Sequence, residues 1–424
     1  MGPSWVAGAI AAGPATMASL ITAGGAYGYT LFWVVVLSAV AGAFAQYLAM
    51  RLGLLSERGI VAVVEDHLGD RWAWLLVFDV VLAAGSAQLL IMKTVATVSE
   101  TITGVDARIW GVVWAVVLAV GLATRGYRFL ETAAKALVAG VVLAFLASLF
   151  VVPVDADAAV QGLIPSLPAG SALVAAGVLG GAVHITLITM HSYTMRSRGW
   201  TVEEYDFATF DVGASMLAAF GTYSVAVFLV TASVLTTGNL SAVEAARALG
   251  PLAGRYAEWL FLLGLLGAAV STLGGNTIAP PFLLADKLGW GTTVDDDRYR
   301  GLLVAAALLS APGAFIGGPV LQQLALVLAI GTVGTPFAIA VVLYLLNSEA
   351  VPEHNSTLAN LGGLTLLAVT GALAANFVAE QVAGDVDVIS GAILAFAVAL
   401  TAATVALLAK YARASLVDPS TFNE

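Results

Sequence analysis

Cysteine is absent from the 424-residue sequence, and charged residues make up only 10% of it. A chain without cysteine has no disulfides, no thiolate ligands for metals and no thiol nucleophile. A chain that is 60% hydrophobic and so poor in charge cannot cover a soluble globule with polar side chains. Because backbone groups in lipid must pair within the chain, the composition predicts an all-α protein that crosses a membrane several times.

Motifs for ATP hydrolysis and for common membrane enzymes are also absent. The sequence has no Gly-Lys-Ser/Thr phosphate loop, no His-Glu-x-x-His pair and no Gly-x-Ser-x-Gly elbow. The longest polar gaps, 51–71, 196–206 and 286–300, are the size of loops and leave no room for a soluble domain. We therefore expect no enzyme activity, no cofactor and no nucleic-acid partner, and we interpret residues 1–424 as one transmembrane domain.

What the sequence does contain is a series of long apolar runs. The first run has no basic segment before it and no small-residue cleavage site, so we expect it to stay in the membrane. Lys and Arg concentrate in alternate loops, which predicts a cell-membrane protein with both termini in the cytoplasm. The runs predict twelve spans, numbered one to twelve in chain order: 4–24, 27–50, 72–98, 107–124, 129–152, 171–195, 207–235, 256–284, 300–316, 319–346, 357–379 and 387–409.

Two of these spans carry helix-breaking residues near their middle. Span one contains Gly13-Pro14, and span six contains "LGGAVHITLITMHS" (179–192), with two glycines followed by β-branched residues. In a bilayer such a break is tolerated where it faces protein, water or a bound solute, although a simple kink in a packed helix is the alternative. Breaks five spans apart are typical of inverted-repeat transporters with the leucine-transporter-like fold. We predict repeat one at about 4–152, repeat two at about 171–346, and two additional spans at about 357–409.

Several segments, in order, resemble the Nramp (natural resistance-associated macrophage protein) family of divalent-metal transporters. "AGGAYGYTLFWVVVLSAVAGAFAQYLAMRLGL" (23–54) is similar to the second span of that family. "MHS" (190–192) resembles the Leu-His-Ser at the end of its broken sixth span. "LLGAAVSTLGGNTIAPPFLL" (265–284) and "GTVGTPFAIAVVLYLLNS" (331–348) resemble its eighth and tenth spans. The resemblance implies a secondary transporter that works by alternating access.

The sequence departs from the family pattern where that family binds its metal. The family's Asp-Pro-Gly-Asn corresponds to Gly13-Pro14-Ala15-Thr16, and its Met-Pro-His-Asn corresponds to His184-Ile185-Thr186-Leu187, so the carboxylate and the thioether are both missing. The resemblance implies that Thr16 and His184 would ligate a metal, together with carbonyls freed near the glycines. The alternative is that His184 is a structural histidine. The predicted substrate-binding residues are Gly13, Pro14, Thr16, Gly180, His184 and Thr186.

Four more polar residues are candidates for coupling or gating: Asp79, Lys93, His191 and Asn276. Asp79 matches the first acidic residue of the family's third span, but Ser86 and Leu89 replace the later ones and Gly334 replaces a tenth-span Gln, so a carboxylate relay for protons is missing. Lys93 either extends its stem toward the interface or substitutes for a coupling cation. Asn276 and Thr272 either line the route or form interhelical hydrogen bonds.

The predicted function is transport of a divalent metal ion through an atypical Nramp-like site, with weak or absent proton coupling. The alternative is a carrier for a small organic substrate, such as an amino acid, on the same scaffold. A channel or a sensor would need a continuous pore or a signalling domain, and the sequence shows neither. The expected partners are the transported solute and the lipid bilayer, and the oligomeric state does not follow from the sequence.

Overall fold

The structure, a computed structural model, describes residues 2–125, 143, 146–147, 149–234, 255–318, 320–383 and 388–417. Predicted span five, 129–152, lies outside the described residues except for a few positions near its end. Every regular element in the described ranges is a helix, and none of them is a strand. The predicted all-α class is therefore confirmed.

The observed helices follow the predicted spans closely. Short helices Ile60–Leu68 and Ala156–Gln161 lie in the loops before spans three and six. Span seven contains a π-helical stretch, Gly213–Gly221, between two α-helical parts. The observed span bounds are Ser4–Ala11 and Pro14–Tyr27 for span one, Phe32–Ser56 for two, Asp70–Thr103 for three, Ala107–Arg125 for four, Ala172–Ala182 and Ile185–Ser197 for six, Tyr205–Val212 and Thr222–Val234 for seven, Arg255–Lys287 for eight, Asp297–Leu308 for nine, Val320–Leu345 for ten, Thr357–Ala383 for eleven and Val388–Val417 for twelve.

Eight helical segments in the described ranges are long and apolar enough to cross a membrane. This number is below twelve partly because spans one and two form one nearly continuous run, Pro14–Ser56. Span nine is shorter than predicted: its α-helix ends at Leu308, and a 3₁₀ turn, Ala311–Phe315, follows it. Pro312 explains this early end, because proline lacks the N–H that would continue the helix.

Span one is interrupted at Ala12 and Gly13, as predicted from its sequence. Gly13 is extended (φ −71°, ψ 175°), and Pro14 occupies the first turn of the second half, where a missing N–H costs least. Before the break, the N–H of Ala12 bonds to the carbonyl of Gly8, and the N–H of Gly13 bonds to that of Ile10. The span is therefore two separate half-helices rather than one kinked helix.

Span six is interrupted at Val183 and His184, over a shorter stretch than predicted. His184 is extended (φ −113°, ψ 140°), and the helix begins again at Ile185. The predicted unwinding as far as Leu187 is wrong, because Thr186 and Leu187 belong to the first turn of the second half. Gly180 is helical but lies in the last turn of the first half, where carbonyl groups have no intrahelical donor, so the predicted free carbonyls around Gly180 agree with the structure. The helix resumes early because the His184 side chain caps it, as described below.

The broken spans lie at the centre of the bundle. In span six 89% of the apolar segment is buried, against 28% in spans four and eleven and 22% in span twelve. The outer spans expose large apolar side chains, among them Val116, Leu361 and Val398, which suits contact with lipid. The central position of both breaks means that their free backbone groups face other spans.

Close packing around span one depends on glycine. A Cβ at Gly24 would collide with the Thr231 hydroxyl and lie 2.8 Å from the nitrogen of Ala232 and 3.0 Å from the carbonyl oxygen of Phe228. Span seven therefore approaches span one backbone to backbone, which is how small residues promote contact between helices in a membrane.

We expect Gly24→Ala to lower the free energy of unfolding in detergent by about 1–3 kcal/mol, the usual cost of overpacking. The control is Gly371→Ala in span eleven, where a Cβ would meet nothing within 4 Å. That change should be neutral or stabilising, because Ala favours a helix over Gly by about 1 kcal/mol. Equal effects of the two substitutions in a thermal unfolding assay would contradict this packing argument.

Candidate functional site

A small pocket lies where the two breaks meet. It includes four of the predicted residues, Gly13, Thr16, His184 and Asn276. Its lining does not include the other six, which are Pro14, Gly180, Thr186, Asp79, Lys93 and His191. Spans one, three, six and eight form its walls. Its lining residues are Ile10, Gly13, Ala15, Thr16, Ala87, Ile91, Gly181, His184, Leu187, Thr272 and Asn276.

The second half of span one points its N-terminus at this pocket. Ala15 and Thr16 lie in the first turn, where backbone N–H groups have no partner inside the helix. The Thr16 hydroxyl lies against Gly181, and a Cβ at Gly181 would collide with it. Gly181, and not the predicted Gly180, is therefore the glycine that shapes the site, because it permits span six to approach Thr16.

The first half of span one ends at the same pocket with its carbonyl groups. The hydroxyl of Thr272 in span eight lies 3.2 Å from the carbonyl oxygen of Ile10 and 3.4 Å from that of Ala9, and donates toward them. These carbonyls belong to the last helical turn, where intrahelical donors are missing. Thr272 therefore forms the interhelical hydrogen bond that was one of its two predicted roles, and it also lines the pocket.

His184 caps the second half of span six. Its Nδ1 accepts the backbone N–H of Thr186 at 3.3 Å. A neutral imidazole has one acceptor nitrogen, so this bond assigns the ring proton to Nε2. The Nε2 atom lies against Gly331 of span ten, where a Cβ would collide with the ring. In this conformation His184 has a structural role, and it could ligate a metal only by giving up the cap or the Nε2 proton.

Thr186 contributes its backbone to the cap rather than its side chain to the pocket. Its hydroxyl is fully buried and has no hydrogen-bond partner in the described part of the chain. Thr186 does not line the pocket in this conformation, and its role in binding substrate stays a prediction.

The predicted ionisable residues of span three lie away from the pocket lining. Asp79 is 1% exposed and packs against Gly334 of span ten, where a Cβ would collide with its carboxylate. Its Oδ2 has no hydrogen-bond partner among the described residues. Lys93 donates from Nζ to the carbonyls of Gly317 (3.1 Å) and Gly318 (2.5 Å), in the loop that follows span nine. Lys93 thus binds backbone carbonyls of a loop, and its ammonium does not occupy the pocket.

His191 belongs to a second buried polar group, at the start of span one. Its Nδ1 lies 2.5 Å from Gln46 Oε1, and its Nε2 lies 3.4 Å from the Ser4 hydroxyl. Because an amide oxygen only accepts, the ring proton is on Nδ1, and Nε2 accepts from Ser4. The Asp211 carboxylate accepts the backbone N–H groups of Gly2 (2.6 Å) and Ser4 (3.0 Å). We call these residues the inner cluster: Ser4, Gln46, His191 and Asp211.

The gating role of His191 stays a prediction, and sequence reasoning missed Asp211, which lies in the same cluster. A carboxylate inside an apolar span was the available signal. Asp211 lies near the end of "YDFATFDV" in span seven and is only 3% exposed. It caps the first half of span one from a different helix, which no local pattern in the sequence could reveal.

We expect His184→Ala to lower the free energy of unfolding by about 1 kcal/mol, because the second half of span six loses its N-cap. His184→Asn should stay close to the parent, since Asn is among the best capping residues. Thermal unfolding of the three proteins in the same detergent measures both effects. An unchanged stability of His184→Ala would contradict the capping role.

We expect Asp211→Asn to loosen the first half of span one, because a charged acceptor is replaced by a neutral one of the same shape. Hydrogen bonds to charged groups contribute about 1.5–3 kcal/mol, so amide hydrogen exchange in Ser4–Ala11 should accelerate about tenfold or more. Asp206→Asn, an exposed position one and a half turns earlier in the same helix, is the control and should leave exchange unchanged. Equal exchange in both variants would show that Asp211 does not hold this half-helix.

Comparison with known proteins agrees with this architecture. The divalent metal cation transporter MntH of Mycobacterium tuberculosis is 26% identical over 365 residues, which cover 83% of this chain and 84% of that protein. The manganese transporter of Eremococcus coleocola has a similar structure, with a TM-score of 0.77, 16% identity, and coverage of 97% of this chain and 94% of its own. A nucleobase-cation-symport-1 family transporter follows with a TM-score of 0.61, 14% identity, and coverage of 100% and 94%.

The structural likenesses establish the leucine-transporter-like fold, and the family assignment comes from the sequence. A family model described as natural resistance-associated macrophage protein-like (Nramp) matches residues 4–380, which is most of the chain. The match includes both broken spans and every residue that lines the pocket. The chain therefore belongs to the Nramp family.

Proposed function

We propose that this protein is a secondary transporter that moves a divalent metal ion across the cell membrane by alternating access. The observation that carries the proposal is the pocket at the junction of the two broken spans, where half-helix ends present backbone carbonyl and N–H groups. Family membership adds support, and the relative from Mycobacterium tuberculosis is named a divalent metal cation transporter. We propose the orientation predicted above, with both termini in the cytoplasm.

The two breaks supply the hinges that alternating access needs. Each half-helix can tilt about an extended residue, Gly13 in span one and His184 in span six, without breaking a continuous hydrogen-bonded helix. The first half of span one is held by the inner cluster, so release of that cluster would open the pocket toward the cytoplasm. We retain the inverted repeats, about 4–152 and 171–346, and the additional spans, about 357–409, as part of this proposal.

The groups that the pocket offers to a divalent ion are all neutral. Its lining contains no carboxylate, and the described residues include no group of three or more His, Cys, Asp or Glu side chains placed to hold a metal. The available donors are the Thr16 hydroxyl, the carbonyls at the end of the first half of span one, and His184 if its cap is released. A divalent ion bound by neutral donors keeps part of its hydration shell, because shedding all its water without a compensating charge is too costly.

The same lining argues for weak or absent proton coupling. Asp79 is the buried carboxylate of span three, but it packs against span ten and not into the pocket. Metal binding in the pocket therefore has no adjacent carboxylate whose proton it would displace. His191 is engaged on both ring nitrogens in the inner cluster, where it would act in gating.

An organic substrate such as an amino acid was the alternative expectation on this scaffold. The family assignment and the relative named for divalent metal transport favour the metal. We therefore retain the organic substrate as an outcome of the test rather than as a second proposal.

Proteoliposomes with an internal metal indicator and an internal pH dye test the proposal. We expect saturable Mn²⁺ uptake with little internal acidification. Uptake should be about tenfold lower in Thr16→Val, because the cation loses one hydroxyl ligand and a tenfold change corresponds to about 1.4 kcal/mol. Thr370→Val is the matched control, because the Thr370 hydroxyl bonds to Leu366 in its own span eleven helix. Absent metal uptake together with uptake of an amino acid would overturn the proposal. Acidification in proportion to metal would overturn the coupling part alone.

A further inference from the structure

Asn276 of span eight presents an unpaired oxygen to the pocket. The residue is 3% exposed and lines the pocket beside Thr272. Its Nδ2 donates to the carbonyl of Thr272 at 3.0 Å, and because a carbonyl only accepts, this bond fixes which end of the amide is which. The Oδ1 atom is buried and has no hydrogen-bond partner in the described ranges. A buried acceptor without a donor is destabilising unless a ligand completes it.

Asn347 of span ten shows what a purely structural amide looks like in the same chain. Its Nδ2 donates to the carbonyl of Leu343 at 2.8 Å, which is the same i to i−4 bond that Asn276 makes. Its Oδ1, however, accepts from Nδ2 of Asn360 at 2.8 Å. Asn347 Nδ2 also donates to Oδ1 of Asn360 at 2.8 Å, so both ends of the Asn347 amide are paired with Asn360. Asn276 lines the pocket, and its Oδ1 has no partner among the described residues.

The backbone of span eight also has carbonyl oxygens without helical donors at Asn276 and Thr277. Pro280 and Pro281 lie inside the helix, so the N–H groups that would bond to the carbonyls of Asn276 and Thr277 are missing. In a membrane such carbonyls are tolerated where protein or a cavity receives them. Two consecutive prolines thus weaken the helix one turn after Asn276.

Contacts with the first half of span one fix Asn276 relative to the break. Thr272 lies one turn before Asn276 in span eight, and its hydroxyl donates to the carbonyl of Ile10 in span one. Gly275 permits the Ile10 side chain to approach, since a Cβ at Gly275 would collide with it. Asn276 therefore lies on a rigid support beside the end of the first half of span one.

We propose that Asn276 Oδ1 is a direct ligand of the transported cation and biases the site toward hard cations such as Mn²⁺ and Mg²⁺ over soft ones such as Cd²⁺. This inference rests on the proposed function, since it assigns a ligand to that same pocket. An amide oxygen is a hard, neutral donor, and the pocket lining holds no sulfur, the donor that soft cations prefer. The negative end of the amide dipole also disfavours an anionic ligand at this position.

Calorimetry on the purified full chain in detergent tests the inference, with Mn²⁺ and Cd²⁺ titrated separately. Asn276→Leu should weaken Mn²⁺ binding about tenfold or more and reduce the preference for Mn²⁺ over Cd²⁺, because an oxygen ligand is lost at constant size. Asn276→Asp should strengthen Mn²⁺ binding several-fold, because it adds a negative charge in the same shape. Asn347→Asp is the matched control and should bind Mn²⁺ as the parent does, because its side chain lies outside the pocket.

The outcomes separate this inference from the proposed function. A parent protein that binds none of the divalent cations overturns the proposed function. A parent that binds Mn²⁺, with Asn276→Leu and Asn276→Asp binding equally well, overturns the role of Asn276 and leaves the function standing. If Asn276→Leu unfolds, Asn276→Asp decides: stronger binding than in both the parent and Asn347→Asp supports the inference, and unchanged binding at a preserved melting temperature overturns it.

Discussion

Every backbone polar group in the interior of a bilayer needs a partner from the protein, and the centre of this structure is organised by the two places where the helices cannot supply one. Gly13 and Pro14 stop span one, and Val183 and His184 stop span six. Neighbouring residues pair with the unpaired backbone groups at the two breaks in different ways. Thr272 donates to the carbonyls before the first break, and the His184 ring accepts an N–H after the second. The pocket lies between the helix ends at these two breaks. Its polar character therefore comes first from backbone carbonyl and N–H groups and only then from side chains.

The pocket is lined by neutral residues, which distinguishes it from a metal site built on carboxylates. Among the described residues, the buried charged groups of spans three and seven lie outside the pocket lining. Asp211 accepts backbone N–H groups, Lys93 donates to loop carbonyls, and Asp79 packs against span ten. A cation entering such a site exchanges water for dipoles, and the balance depends on how well those dipoles are fixed in advance. Rigid supports, such as Thr272 and Gly275 beneath Asn276, therefore matter as much as the ligands themselves.

Sequence reasoning predicted the features that depend on local chemistry. Gly-Pro in an apolar run predicts a break because proline removes a donor, and the break is at that position. The sequence alone does not show whether Gly180 or Gly181 shapes the site, because this depends on which glycine faces Thr16 in the fold. The role of His184 could not be assigned for the same reason: a capping bond and a metal bond both use an imidazole lone pair, and only the position of Thr186 N–H separates them. Asp211 contacts the start of span one, and Gly331 contacts His184 of span six. In both cases the two partners are far apart in the chain, so a single sequence does not reveal the contact.

The first half of span one connects the two polar regions of the protein. It is eight residues long, about 12 Å at 1.5 Å per residue. Its start is held by Asp211 and His191 from spans seven and six, and its end is held by Thr272 from span eight. A helix this short and this buried moves as a rigid body, because bending it would break its few internal hydrogen bonds. A ligand that binds the carbonyls at the end of the first half of span one therefore acts on the inner cluster through the same rigid segment. Occupancy of the pocket and the contacts of the inner cluster are therefore two constraints on one element, and alternating access requires that they not be released together.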